Sequence, residues 1–452
     1  MSKNSFTYSA QTFQEIVTDV LAIAKKLGAS DAAAEVSEGS GLSVSVRKGE
    51  VETIEQSIDK SLGVTVFIGQ QRGNASTSDF SKASLQQTVQ AAFDIAKHTA
   101  PDDCAGLAEA ELLETKPRDL DLFHPWDLPV EEAVELAKRA EAGAFAVSRQ
   151  ISNSDGASVS AHQSHFQMAT SKGFLGGYPF SRHFISCAPI ASGSKGGGMQ
   201  RDDWYSSSRL PSELAEPESI GRYAAQRALS RLGAKSIPTQ RCPVIFEAPL
   251  ASGLLGAFVQ AVSGGALYRK STFLLDSLGQ PIFPSHIDIQ EDPHLLRQTG
   301  SAPFDEEGVR TRERRVVDAG VLNGYFLSTY SARKLGMKTT GNAGGSHHLS
   351  LTSRLTKSKD DLRALLKRMG RGLLVTEVMG QGVNYVTGDY SRGAFGYWVE
   401  NGEIVHPVEE ITIAGNLKQM FLDIEAIGTD RLIRGTKETG SILIREMTIG
   451  GK

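Results

Sequence analysis

Residues 42–68 read LSVSVRKGEVETIEQSIDKSLGVTVFI. Leu42, Val44 and Val46 alternate with Ser and Arg, the period of two that a half-buried strand requires. Residues 51–56 and 62–68 continue in the same style, with Lys48-Gly49 and Asp59-Lys60 as the expected turns. Upstream the period changes. Phe13, Ile16, Val17, Val20, Leu21, Ala24 and Leu27 form one apolar stripe, so residues 12–27 are expected to be a helix, with Thr12 and Glu15 as a capping box and Gly28 as the stop. Ser81 opens a second helix carrying Leu85, Val89, Ala92, Phe93 and Ala96. Helix, strands, helix in that order predicts an α+β layer with an antiparallel sheet.

Residues 99–128 hold three prolines and no clear period, and read as a connection. Pro129 starts a helix over about 130–148, residues 155–208 are again strand-like with Asp155-Gly156 as a turn, and a helix over 217–232 closes at Gly233. The glycines between Gly193 and Gly198 read as a flexible loop. Pro238 marks a boundary. An N-terminal α+β domain is therefore expected over 1–236, with subregions 1–98 and 125–236, and a second domain over 237–452. The second begins with a short apolar strand ending at Phe246 and a helix from Pro249. It then runs to about residue 450 as strands punctuated by glycine, interrupted by one helix over 359–369 with Ser358 as its cap. The predicted fold is α+β, an N-terminal helix and antiparallel-sheet region followed by a β-rich C-terminal domain.

Of 452 residues, 48 are basic and 52 acidic, which argues against a nucleic-acid coat. The three cysteines show no CxxC spacing, no apolar run is long enough to span a bilayer, and no secretory leader is visible, so a reduced cytoplasmic protein is expected. Charge is uneven: residues 301–370 hold 13 basic against 7 acidic side chains, and 400–427 hold 6 acids against Lys418.

Most catalytic signatures are missing, including the P-loop, the GxSxG elbow, HExxH and HExxxH. His347-His348 would point to opposite faces of a strand and chelate poorly, and His162 and His165 sit in a strand-like segment, so these histidines read as polar or packing residues. The run from Thr376 to Gly393, TEVMGQGVNYVTGDYSRG, is dense in glycine and hydroxyls, with Glu377, Asp389 and Arg392 as its charges. It reads as a system of tight turns that lines a wall or interface, with Gly380, Gln381, Gly382, Asn384, Asp389 and Arg392 as binding or interface candidates.

With GNAGGSHHLSL (341–351), the long run from Leu373 to Phe421 and the closing GSILIREMTIGG (440–451), the sequence resembles the TldD/PmbA metalloprotease family, in its PmbA (TldE) branch. The resemblance covers essentially the whole chain. It implies a subunit of a two-protein cytoplasmic zinc protease acting on unfolded peptides, in which a TldD-like partner holds zinc through HExxxH and a late Cys. It also implies a homodimer when the partner is absent. Here Phe246 and Ala251 stand in the two His places, only Glu247 remains, and no Cys follows Cys242. These vestigial positions, Phe246, Glu247 and Ala251, imply a chain with no catalytic residues and no metal, one that forms part of the peptide channel while zinc resides in the partner. The alternative is a binding or regulatory protein of the gyrase-modulator type, acting without proteolysis.

Overall fold

The computed structural model describes residues 6–193 and 198–452. The glycine-rich segment at 194–197 lies outside the described residues. The chain divides into two compact units, one holding residues up to Ser230 together with Pro303–Thr311, the other Arg231–Ala302 and Arg312–Lys452.

The first unit contains α1 (Ala10–Leu27), β1 (Asp31–Arg47), β2 (Glu50–Ile68), β3 (Gln71–Thr77), α2 (Lys82–His98), α3 (Val130–Phe145), β4 (Ile151–Thr170), β5 (Leu175–Gly176), β6 (Pro179–Ser192), β7 (Met199–Arg201), β8 (Trp204–Ser208) and α4 (Pro217–Ser230). The strands join in one antiparallel sheet in the order β3-β2-β1-β4-β6-β7, so the two helix–strands–helix passages share a sheet at the β1–β4 ladder. On β1 the even residues from Ala32 to Val46 face the helices. α1 and α2 bury Ala32, Ala34 and Val36 with Leu62, Val64 and Val66. α3 packs on β1, β4 and β6 near the far end of the same face, where Val44 and Val46 are buried.

Three details depart from the sequence reading. The cap of α1 is Ser9, whose Oγ accepts the Thr12 backbone N–H, so Thr12 lies inside the first turn. Asp59-Lys60 is not a turn: β2 runs through it, with Asp59 opposite Gly39 and Lys60 opposite Glu38. Asp155-Gly156 is a bulge within β4, with Gly156 at φ 110° and its N–H donated to the Ser154 hydroxyl.

The second unit contains β9 (Gln240–Phe246), α5 (Ala248–Ala261), α6 (Gly264–Tyr268), β10 (Ile287–Glu291), β11 (Arg314–Asp318), β12 (Val321–Leu322), α7 (Thr329–Lys334), β13 (Leu349–Ser353), α8 (Leu362–Met369), β14 (Gly372–Met379), β15 (Asp389–Glu400), β16 (Glu403–Asn416), α9 (Leu417–Leu422), β17 (Ile424–Ile427), β18 (Leu432–Arg434), β19 (Lys437–Thr439) and β20 (Ile442–Gly450). One sheet runs β12-β11-β10-β13-β19-β18 and another β16-β15-β14-β9-β20-β17. Their apolar residues and α5 share one core that includes Phe246, Phe258, Ile289, Val375 and Ile444. The helix expected over 359–369 is α8, capped by Asp361, whose carboxylate accepts the Ala364 N–H, and not by Ser358. The short helices α6, α7 and α9 are too brief to show a period in sequence.

Candidate functional site

β9 is a central strand, parallel to β14 (Phe246 opposite Val375) and antiparallel to β20 (Phe246 opposite Ile442). Both neighbours are apolar here, which is why Val244, Ile245 and Phe246 form an uninterrupted buried run. The chain then turns at Glu247 (φ −57°, ψ 145°) into α5, with Pro249 in the first turn, where its missing N–H costs nothing. The Glu247 N–H donates to the Val375 carbonyl at 3.0 Å, and the Ala251 N–H to the Glu247 carbonyl at 2.8 Å. The Ala248 N–H, an unpaired helix-end donor, is taken by Ser441 Oγ at 3.0 Å, and that hydroxyl donates to Asp430 at 2.6 Å. The junction is thus fastened through backbone groups and one Ser–Asp pair.

The side chains of Phe246, Glu247 and Ala251 divide cleanly. Phe246 is 1% exposed and Ala251 0%, and both belong to the core of the unit. The Phe246 ring meets Tyr390 edge to face at 6.5 Å. Glu247 is half-buried. Cys242 lies four residues earlier inside β9, where burial pushes its thiol up to about 11.

The candidates from Gly380 to Arg392 lie in the 380–388 loop between β14 and β15 and at the start of β15. Asn384 organises the loop: its N–H donates to the Asp389 carbonyl (2.8 Å), its side-chain oxygen accepts the Val386 N–H (3.0 Å), and its carbonyl accepts the Gly388 N–H (2.7 Å). Asp389 accepts from the Thr387 hydroxyl (2.7 Å) and from Asn416 (3.2 Å), bonds that hold its carboxyl below the usual carboxylate range. Arg392 Nε donates to the Met379 carbonyl at 3.2 Å. Gly380 and Gly388 have φ 81° and 82°, which favours glycine, and a Cβ at Gly382 would fall on the Ser391 carbonyl oxygen, which requires it. Gln381 is exposed. The side chains of Asn384, Thr387, Asp389 and Arg392 are used in holding the loop.

Other sequence candidates are also committed elsewhere. Glu377 pairs with Arg231 at 2.6 Å, and that guanidinium stacks over Phe395 at 3.8 Å. His347 Nε2 bonds the Gly341 carbonyl (2.8 Å), whereas His348 Nε2 faces Glu438 at 3.3 Å, so the adjacent imidazoles serve different partners. His165 is buried against Glu38, and His162, exposed, lies across Gly41 on the opposite face of the sheet. Sequence reasoning missed Ser441 and Asp430. Nothing in their local pattern marks them, because they reach the β9–α5 junction only through the β9–β20 ladder.

The profile of the PmbA/TldA metallopeptidase C-terminal domain matches residues 239–451, that of the central domain 123–232 and that of domain 1 residues 32–96. The chain belongs to the PmbA/TldA metallopeptidase family. It is 48% identical over 440 residues to Metalloprotease PmbA of Escherichia coli O157:H7, covering 97% of this chain and 96% of that protein. It is 46% identical to a Metalloprotease PmbA homolog of Haemophilus influenzae, covering 98% and 96%. Among solved structures, a Bacteroides thetaiotaomicron protein described as a candidate modulator of DNA gyrase superposes with TM-score 0.91 at 26% identity, over 98% of this chain and 100% of that one. TldE from Thermococcus kodakarensis gives 0.83 at 18% identity, over 96% and 100%, a likeness of fold.

A metallopeptidase family implies a metal, and the residues at the β9–α5 junction do not fit one. Zinc needs three or four N, S or O donors. A phenyl ring and a methyl group offer none, and the Glu247 carboxylate is left as one donor. Among the described residues no other group of three or more His, Cys, Asp or Glu side chains could hold an ion.

Proposed function

We propose that this chain is the PmbA/TldE-type, non-catalytic subunit of a two-component cytoplasmic zinc metalloprotease that cleaves unfolded peptides. A TldD-like partner carries HExxxH at the equivalent junction and supplies the metal-activated water, and this chain contributes part of the peptide channel. The observation that carries the reading is the pair Phe246 and Ala251, apolar and fully buried where two imidazoles would have to stand. The loop 380–388, whose side chains bond its own backbone, suits a fixed wall or interface. When the partner is absent, two copies of this chain form a homodimer, since subunits sharing a fold can reuse one interface.

The experiment measures cleavage of an unfolded polypeptide by this chain, by the TldD-like chain and by the mixture, with and without a chelator. Activity of the mixture that a chelator abolishes, with none from this chain alone, is expected. Chelator-sensitive cleavage by this chain alone would overturn the proposal. The similarity to a candidate gyrase modulator favours one other reading, a regulatory protein without a role in proteolysis. A mixture no more active than the TldD-like chain alone would favour it.

A further inference from the structure

β1 and β2 pair along their full lengths, but β3 covers β2 only from Leu62 to Ile68. From Glu50 to Ser61 the outer edge of β2 has no strand partner among the described residues, and every residue is exposed. Sheet edges of this length are ordinarily blunted, because their free N–H and C=O groups pair with any strand that reaches them. Two blunting devices are present. Glu52 is the extra residue of a bulge, since Thr53 lies opposite Ser45 and Val51 opposite Val46. The edge also carries Glu50, Glu52, Glu55 and Asp59 against the single Lys60. Neither device hides the aliphatic side chains, of which Ile58 is 75% exposed. Ile54 lies opposite Val44 and Ile58 opposite Ser40, so both stand on the helix-bearing face.

The order of these residues is self-complementary. Two copies of the strand, laid antiparallel about a two-fold axis at Gln56, put Ile54 opposite Ile58, Glu55 opposite Ser57 and Thr53 opposite Asp59, each pair twice. Glu52 then stands opposite Lys60 of the other copy, which is exposed with its ammonium over the Tyr8 and Phe80 rings at 5.4 and 5.1 Å. Val51 stands opposite Ser61, next to Leu62, where β3 takes over the edge. This register uses the uncovered edge from Val51 to Ser61 with no carboxylate facing another. Its neighbours fail on charge. An axis at Glu55 sets that carboxylate against its own counterpart, and an axis at Ser57 sets Glu55 against Asp59. Like charges directly opposite are destabilising, so the acids that repel other strands leave this pairing open.

We infer that the 51–61 edge of β2 is the interface with a second copy of this chain, the two β2 strands pairing antiparallel about Gln56 into one continuous sheet. Residues directly opposite in an antiparallel ladder point to the same side, so the helix-bearing faces of both copies lie on one side and two Ile54–Ile58 pairs flank the axis. Main-chain hydrogen bonds hold the strands together, and the pairs of Ile and of Glu52 with Lys60 fix the register. A two-fold pairing consumes both edges and closes the assembly at two chains. It gives the homodimer of the proposed function its surface, and rests on that reading in so far as a dimer forms.

The test uses the full-length chain alone and sedimentation equilibrium. The parent chain is expected as a dimer, and Ile58→Lys, which sets an ammonium against Ile54 twice per dimer, should raise the dissociation constant about tenfold or more. Register is read separately by cross-linking. Gln56→Cys sets two thiols opposite each other across the axis, at the Cα separation of about 4.4–6.8 Å that a disulfide spans, and should give covalent dimer with oxidised glutathione beyond that of the parent chain. Cys introduced by Glu50→Cys lies about 40 Å from its counterpart along the paired strands and should not. Circular dichroism confirms folding of each variant. A chain that stays monomeric removes the homodimer and this interface together. A dimer that Ile58→Lys leaves intact, or Gln56→Cys that cross-links no better than Glu50→Cys, overturns the interface and leaves the homodimer standing. Protection of the edge from hydrogen exchange by the TldD-like chain, with this chain monomeric when alone, assigns the edge to that partner and overturns it equally.

Discussion

The sharpest consequence of the β9–α5 junction is energetic. Phe246 is among the largest fully buried side chains, enclosed by the β14 and β20 ladders and meeting the Tyr390 ring. Phe246→Ala removes the ring from a core that the strand ladders keep from collapsing, so the loss should fall in the range of about 3–5 kcal/mol typical of such truncations. For a unit of about 150–250 residues, each kcal/mol lowers Tm by about 2–4 °C, which gives a fall of about 6–20 °C. Phe246→Leu keeps most of the volume and should cost about 1.5 kcal/mol or less. Phe246→His should cost more than Phe246→Leu, because the imidazole nitrogens would meet apolar neighbours. Urea unfolding followed by far-ultraviolet circular dichroism measures all three. A loss below about 1 kcal/mol for Phe246→Ala, or His tolerated as well as Leu, would refute the argument that this position is packing.

Three further outcomes follow from the same geometry. Ser441→Ala strands the buried Ala248 N–H and should lower stability by about 1–3 kcal/mol in the same urea assay. Gly382→Ala drives a methyl onto the Ser391 carbonyl and should cost about 1–3 kcal/mol, read as a Tm shift. The hydrogen bond from His348, and next the charge of Arg431, hold Glu438 below its ordinary 4.5, outweighing its partial burial. A carboxylate depressed by folding stabilises above its unfolded pKa and loses that contribution as pH falls through the folded value. The Tm gap between the parent chain and Glu438→Gln should therefore be widest above about pH 5 and close progressively at more acid pH.

The α+β character was legible because burial is one-sided where it matters. α1 shows a stripe at Phe13, Val17, Val20 and Ala24 ending at a left-handed Gly28, and β1 alternates strictly from Ala32 to Val36. The failures occur where that signal vanishes. β2 from Glu50 to Ser61 is exposed on both faces, so nothing in its pattern distinguishes a continuing strand from a turn at Asp59-Lys60. Gly156 marks special backbone in sequence, but a bulge and a turn demand the same residue. The return of Pro303–Thr311 to the first unit, where Phe304 and Val309 pack with Phe174 and Met168, rests on contacts distant in sequence. The junction position was readable from the run Phe246–Ala251, whereas its Ser441–Asp430 support was not, since strand pairing alone brings it there.

Zinc content is the deciding measurement for the β9–α5 junction. The full-length chain, purified, incubated with zinc and desalted, is analysed for metal by mass spectrometry. Because Phe246 and Ala251 offer no donor atoms, far less than one zinc per chain is expected. About one tightly held zinc per chain, lost on Glu247→Gln, would contradict it, since this junction would then be a metal centre.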